Sequence, residues 1–230
     1  MGEIELGADE SHHALRVLRM DEGRDIVVID GCGGMSHAVI ARTTGGRVVA
    51  RVAERRRCSR IVPEIAVFQG SPKGAKGDEV VERIAELGAA DIAFFSSERA
   101  VARWDPAKVQ RLTARWEARA HAAAARSRNP FAARIHGVLS WEDLLLRMGA
   151  EPCALVLWDQ APVPLRDRLP SGAGRVALVV GPEGGLSPSE VGQLEAAGVA
   201  PASLGSVILR TENAAPAALA ALLWHFGRMG

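Results

Sequence analysis

The chain of 230 residues carries 28 Lys and Arg against 27 Asp and Glu, and is 48% hydrophobic and 24% charged. This is an ordinary globular balance, long enough for one large domain or a small one plus a medium one, and the net charge of +1 points to no class of partner. Three scattered cysteines (Cys32, Cys58, Cys153) without a CxxC pair, and histidines not set at ligand spacing, argue against a disulfide framework and against any metal site. With no signal peptide and no apolar run of about 18 residues, a cytoplasmic protein is the default expectation.

In chain order, SHHALRVLRM (11–20) sets Ala14, Leu15, Val17 and Leu18 for a short amphipathic helix. Three β-branched runs follow, DIVVID (25–30), SHAVIA (36–41) and RVVARV (47–52), separated by the turn sequences GCGG and TTGG. Closely spaced strands of this kind predict a small β-barrel over residues 1–60. The arginine-rich runs at 51–60 and 114–129 are either solvated faces or RNA-binding surface. Beyond RRRCSRIVP (55–63) the pattern changes. Strand-like runs at 65–70, 91–96, 153–158, 176–181 and 201–205 alternate with helical stretches at about 75–88, 106–126, 140–149, 187–198 and 214–226. That alternation predicts an α/β domain, a parallel sheet covered by helices on both faces.

Two loops carry the chemistry. LVVGPEGGLSPSE (178–190) leaves a strand through a glycine-rich turn but matches neither GxxxxGK[ST] nor GxGxxG. Pro182 has no N–H to offer an anion and Glu183 adds a negative charge, so a phosphate cradle is disfavoured. The glycines serve either a tight turn or close backbone approach to a ligand, at the strand end where open α/β sheets bind. Ser187, Pro188 and Glu190 form a capping box for the next helix, which Gly198 ends. LGSVILRTENAAPAAL (204–219) is the second strand-to-helix loop. With Asn213 as N-cap, Pro216 falls at the third helical position, where its missing N–H costs nothing, and 205–212 is an irregular segment carrying Arg210 and Glu212. The strand end LWDQAP (157–162) would complete a cleft between the loops.

These two loops, in this order and about twenty residues apart, closely resemble the paired signature of the SPOUT-class 16S ribosomal RNA methyltransferases of the RsmE type, the uridine-N3 methyltransferases. The blocks SPKGAKGDEVVERIAELGA (71–89), SSERAV (96–101) and RWEARAHAAAARSRNPF (115–131) resemble further family blocks, and HHALRVLRMDEGRDIVVIDG (12–31) looks like the family's PUA-like RNA-binding barrel. The resemblance implies a methyltransferase domain over 61–230 with a deep trefoil knot in about 153–226. It also implies a homodimer, S-adenosylmethionine as cofactor, and as target one uridine near the 3′ end of 16S rRNA in the small ribosomal subunit.

On that resemblance, Arg210 and Glu212 are the expected catalytic pair, Arg210 near the base or the cofactor carboxylate and Glu212 orienting it. Backbone around Leu178, Gly181, Pro182, Glu183, Gly184 and Gly185 in the first loop would hold the cofactor. Leu204, Gly205, Ile208, Leu209, Arg210, Asn213 and Ala214 would do so in the second. Trp158 either stacks on an adenine or a base, or packs in the core. Lys73, Lys76, Arg99, Arg126 and Arg128 are expected phosphate contacts. The chain departs from the family pattern at Ala125, Arg126, Asn129, Ala133 and Asn213, and about ten residues that usually supply a first barrel strand are lacking. Methylation of another rRNA or tRNA site, and a ribosome-binding relative without catalysis, are the alternatives.

Overall fold

The computed structural model describes residues 2–72, 76–99 and 104–229. Lys73 lies outside them. The backbone forms two units, Met1–Arg60 with Arg128–Phe131, and Ile61–Ser127 with Ala132–Gly230.

The first unit is an antiparallel sheet in the order β1-β4-β3-β2, with β1 Glu3–Glu5, β2 Asp25–Ile29, β3 Gly34–Thr44 and β4 Arg47–Arg57. The long β3–β4 hairpin closes through Gly45 and Gly46, at φ 58° and 77°. Positive φ at both residues is what a two-residue hairpin turn of matching twist demands, and is why TTGG reads as a turn. β1 pairs with β4, Ile4 opposite Ala50, and gives the sheet a strand that the sequence did not disclose. Three residues reading Glu-Ile-Glu carry too little pattern to announce it. Helix α1, Ala8–His12, runs into a wider π turn at His13–Val17. That widening shifts the helical phase. Ala14 stays buried with Ile40 and Val48, whereas Val17 and Leu18, expected on the apolar face, are exposed. The segment Arg128–Phe131 also belongs here: Gly33 N–H donates to the Pro130 carbonyl at 2.9 Å, and Arg60 lies over the Phe131 ring.

The second unit is a six-stranded parallel sheet in the order β10-β8-β9-β5-β6-β7. The strands are β5 Glu64–Gly70, β6 Asp91–Phe95, β7 Arg134–Leu139, β8 Ala154–Leu157, β9 Arg175–Val180 and β10 Ala200–Ala202. Alternation within each strand splits the core in two. Ile65, Val67, Val176, Leu178 and Val180 pack with residues of α2 (Lys76–Glu86), α3 (Pro106–Arg126) and α6 (Thr211–His225). Ala66, Phe68, Ala177 and Val179 pack with residues of α4 (Trp141–Met148) and α5 (Pro188–Ala196). Strand β7 was missed in the sequence because Gly137, at φ 70°, interrupts its run, and its pairing with β6 shifts register there.

The amino ends of four strands are tied by charge. Asp91, 3% exposed, accepts from Arg134 at 2.7 and 2.8 Å and from Arg175 at 2.7 Å, and lies 2.6 Å from His136 Nε2. Glu64 and Glu151 take the other sides of the two arginines. Burial alone would raise the Asp91 carboxyl; the bonds from Arg134, His136 and Arg175 overcome it and hold the group far below the usual carboxylate range. A carboxyl depressed on folding contributes stability above its unfolded value, about pH 4, and that contribution fades as the pH falls further. Asp91→Asn is expected to cost about 2–3 kcal/mol at pH 7, a figure kept modest because Arg134 is half-exposed. Urea unfolding at pH 7 and at about pH 3 checks it, and the gap between variant and wild type should shrink in acid.

Candidate functional site

In the parallel sheet, β5 leads through β6 to β7 on one side, while β9 lies beside β5 on the other, followed outward by β8 and then the edge strand β10. The β5–β9 junction is thus where strand order reverses, and the crevice at the carboxyl ends there is the favoured ligand position of such sheets. The first glycine-bearing loop leaves β9 at this junction, and the second, which starts from the edge strand β10, ends beside it, where Thr211 Oγ1 donates to the Gly181 carbonyl at 2.6 Å.

The first loop runs from Gly181 to Leu186. Its start is fixed from below: a Cβ on Gly70, the last residue of β5, would meet the Pro182 ring at 2.5 Å and the Gly181 carbonyl carbon at 2.8 Å. Its end is fixed by the expected capping box. Ser187 Oγ accepts from Glu190 N–H at 3.2 Å, and Ser187 N–H donates to Glu190 at 2.7 Å. Glu190, 1% exposed, also accepts from Glu98 N–H at 2.8 Å, so the same carboxylate braces the loop after β6. Arg99 lies over Gly184 and donates to its carbonyl at 3.2 Å.

The second loop, residues 203–210, is irregular, with Val207 and Ile208 exposed, and leads into α6. The N-cap of α6 is Arg210, not Asn213. Asn213 instead accepts from Arg83 Nη1 at 2.9 Å. Pro216 therefore sits inside the helix, where its missing N–H leaves the Glu212 carbonyl free, and Arg83 Nη1 approaches that carbonyl at 3.4 Å. An arginine on α2, remote in sequence, thus makes the earlier helix start possible. The sequence gives no sign of that partner.

Between the loops lies a small charged group. Glu212 is 8% exposed; Lys76 Nζ stands 3.1 Å from its carboxylate and 3.6 Å from Glu183. The second oxygen of Glu212 is buried and has no hydrogen-bond partner among the described residues. Its own backbone N–H, then Lys76, and last the charge of Arg210 hold the Glu212 carboxyl below its ordinary value against the opposing effect of burial. The same pairing with Glu212 raises Lys76. Lys76 therefore takes the ion pair expected of Arg210, which is exposed and reaches Glu212 through space only.

The remaining expected residues divide. Gly181, Pro182, Glu183, Gly184 and Gly185 line the first loop; Leu204, Gly205, Ile208 and Leu209 line the second, with Asn213 and Ala214 in the first turn of α6. Leu178 does not join them: it is fully buried in a central strand, paired with Val67 and Leu155 on its two sides, so its backbone is committed to the sheet. Trp158 is half-buried against the α4–α5 side of the core. Of the cationic set, Arg99 and Lys76 stand at the loops. Arg126 pairs with Glu82 at 2.6 Å, and Arg128 is exposed in the first unit. Gln69 was not among the expected residues. Fully buried, it donates to Thr211 Oγ1 at 2.6 Å and to the Gly181 carbonyl at 3.2 Å; its only signal in the sequence is a polar residue ending the apolar run IAVFQG.

The described residues contain no His, Cys, Asp and Glu grouping able to hold a metal, and no helix long and apolar enough to cross a membrane. The site is thus two backbone-rich loops around a Lys–carboxylate group.

Comparison with known proteins places this arrangement. Residues 60–223 match an RNA methyltransferase domain, and residues 6–53 match an RNA methyltransferase PUA domain. Ribosomal RNA small subunit methyltransferase E of Mycobacterium tuberculosis is 36% identical over 218 residues, 93% of this chain and 83% of its own length. The Bacillus subtilis protein of the same name is 30% identical over 226 residues, 94% of this chain and 88% of its own. The crystal structure of the Neisseria gonorrhoeae enzyme bound to S-adenosyl methionine superposes with a TM-score of 0.85 at 25% identity, covering 97% of this chain and 92% of that one. Two matching domains in the same order, and identity sustained over nearly the whole length, show that the chain belongs to the RsmE-type family of ribosomal RNA small subunit methyltransferases.

Proposed function

We propose that the protein methylates N3 of one uridine near the 3′ end of 16S rRNA, in the small ribosomal subunit, with S-adenosylmethionine as donor. The observation that carries this reading is the pair of loops at the β5–β9 junction. Gly185, at φ 68°, and Gly205, at φ 107°, each have open space where a side chain would be, so bare backbone faces outward from both loops. Such surfaces suit a ligand read through N–H and C=O groups. The cofactor supplies an electrophilic methyl group on a sulfonium when bound; the residues of the chain hold, orient and manage charge around it.

Uracil N3 carries a proton that must be lost for it to attack. In this reading the Arg210 guanidinium stabilises the developing uracil anion. Glu212, pinned by Lys76, keeps a second carboxylate oxygen that has no partner among the described residues, on the same turn of helix. That oxygen is suited to orient Arg210. N3 is also the pairing edge of uracil, so the target base must be unpaired or turned out. Arg99 and Arg128, and Lys73 outside the described residues, remain candidate phosphate contacts, as do Lys76 and Arg126 on exchange of their ion pairs. The knot over about 153–226 and the homodimer follow from the resemblance; exposed Val207, Ile208 and Trp224 offer apolar surface to a second copy.

Mass mapping of small-subunit RNA from cells with and without the protein tests the reading. An N3-methyluridine in the 3′ region should disappear with the protein and return when it is restored. An unchanged signal would sink the assignment.

A further inference from the structure

Gln69 ends an apolar strand with an amide. Parity along β5 directs it, with Ile65 and Val67, to the face that packs α6, and it is 0% exposed. Its Nε2 donates to Thr211 Oγ1 at 2.6 Å and to the Gly181 carbonyl at 3.2 Å, and Thr211 donates to that same carbonyl at 2.6 Å. Thr211 is the first residue of α6, and Gly181 the first of the loop after β9. Neither contact belongs to a strand ladder, and α6 has no side-chain cap of its own. Three segments far apart in sequence therefore meet in one closed triangle of polar atoms. Directly beside it, Gly70 lies so close to Gly181 and Pro182 that any side chain there would displace them.

For the fold alone this amide is a poor choice. Its Oε1 is buried with no partner among the described residues, and an apolar side chain of the same shape would avoid that desolvation cost. What the amide supplies is a fixed distance between the end of β9 and the start of α6, the roots of the two loops. Ligand contacts made by backbone groups gain affinity when the loops are held in place before binding, because less freedom is lost on association.

We propose that Gln69 is a positioning residue for cofactor binding: through the Gly181 carbonyl and the Thr211 hydroxyl it locks the two loops in the spacing that S-adenosylmethionine requires. This rests on the reading of these loops as the cofactor site.

The test titrates S-adenosylmethionine by calorimetry into the full chain and its Gln69→Leu, Thr211→Val and Thr211→Ser variants, with thermal unfolding alongside. Gln69→Leu and Thr211→Val are expected to weaken binding by about tenfold to a hundredfold. They should raise the KM for cofactor more than they lower kcat at saturation. Thr211→Ser, which keeps the hydroxyl, should bind about tenfold more tightly than the isosteric Thr211→Val. Should Gln69→Leu fail to fold, the Val and Ser pair at 211 decides. The inference is overturned if both disruptive variants bind like wild type, if Ser binds no better than Val, or if melting temperature falls while affinity holds. If wild type itself binds no cofactor, the reading of the loops fails first, and the inference with it.

Discussion

Arg210→Ala is expected to lower methyl transfer to small ribosomal subunits by about 10²–10³-fold, the usual loss when one charge-stabilising donor is removed from a reacting centre. The residue is exposed, takes no part in the core and only caps α6 through its backbone, so folding should be unaffected. The comparison that matters is with Glu212→Gln. In the proposed arrangement Glu212 is held by Lys76, so the Gln variant loses an ion pair as well as a negative charge beside Arg210. Single-turnover rates, with cofactor affinity measured separately, distinguish loss of chemistry from loss of binding. Normal rates and normal affinity in Arg210→Ala would remove it from the mechanism.

Gly70→Ala should be the most damaging single methyl group in the second unit. The new carbon would stand 2.5 Å from the Pro182 ring and 2.8 Å from the Gly181 carbonyl carbon, and backbone, unlike a flexible side chain, cannot swing aside. Overpacking of this kind costs about 1–3 kcal/mol, and the upper end is expected here. Denaturant unfolding reads the loss, and cofactor affinity should fall with it because the displaced atoms begin the first loop. A variant as stable as wild type would mean that β5 and the loop are less tightly registered than their spacing implies.

Much of this was legible beforehand because it is local. The capping box at Ser187–Glu190, the Gly45–Gly46 hairpin and the helix over Pro106–Arg126 each depend on a few adjacent residues whose chemistry has one good solution. What escaped the reading depends on partners remote in the chain. The start of α6 moved because Arg83 engages Asn213 and the Glu212 carbonyl. The partners of Lys76 are likewise distant in the chain: it stands against Glu183 and Glu212. Gln69 was passed over because one amide in a hydrophobic run has no pattern; its meaning lies in Thr211, 142 residues away. The site's backbone was therefore written in short motifs, and its side-chain wiring was not.

The placement of Arg128–Phe131 has a practical consequence. Four residues in the middle of the chain belong with the first unit, so the polypeptide passes between units at 60/61, 127/128 and 131/132. No single cut yields two whole pieces. A fragment starting at residue 61 would carry Phe131 without Arg60 and Pro130 without the Gly33 amide, leaving an aromatic ring and a carbonyl stripped of their partners. Dissection of this protein by truncation therefore calls for replacement of 128–131 by a short polar turn in the catalytic piece, and for a supplied peptide in the other.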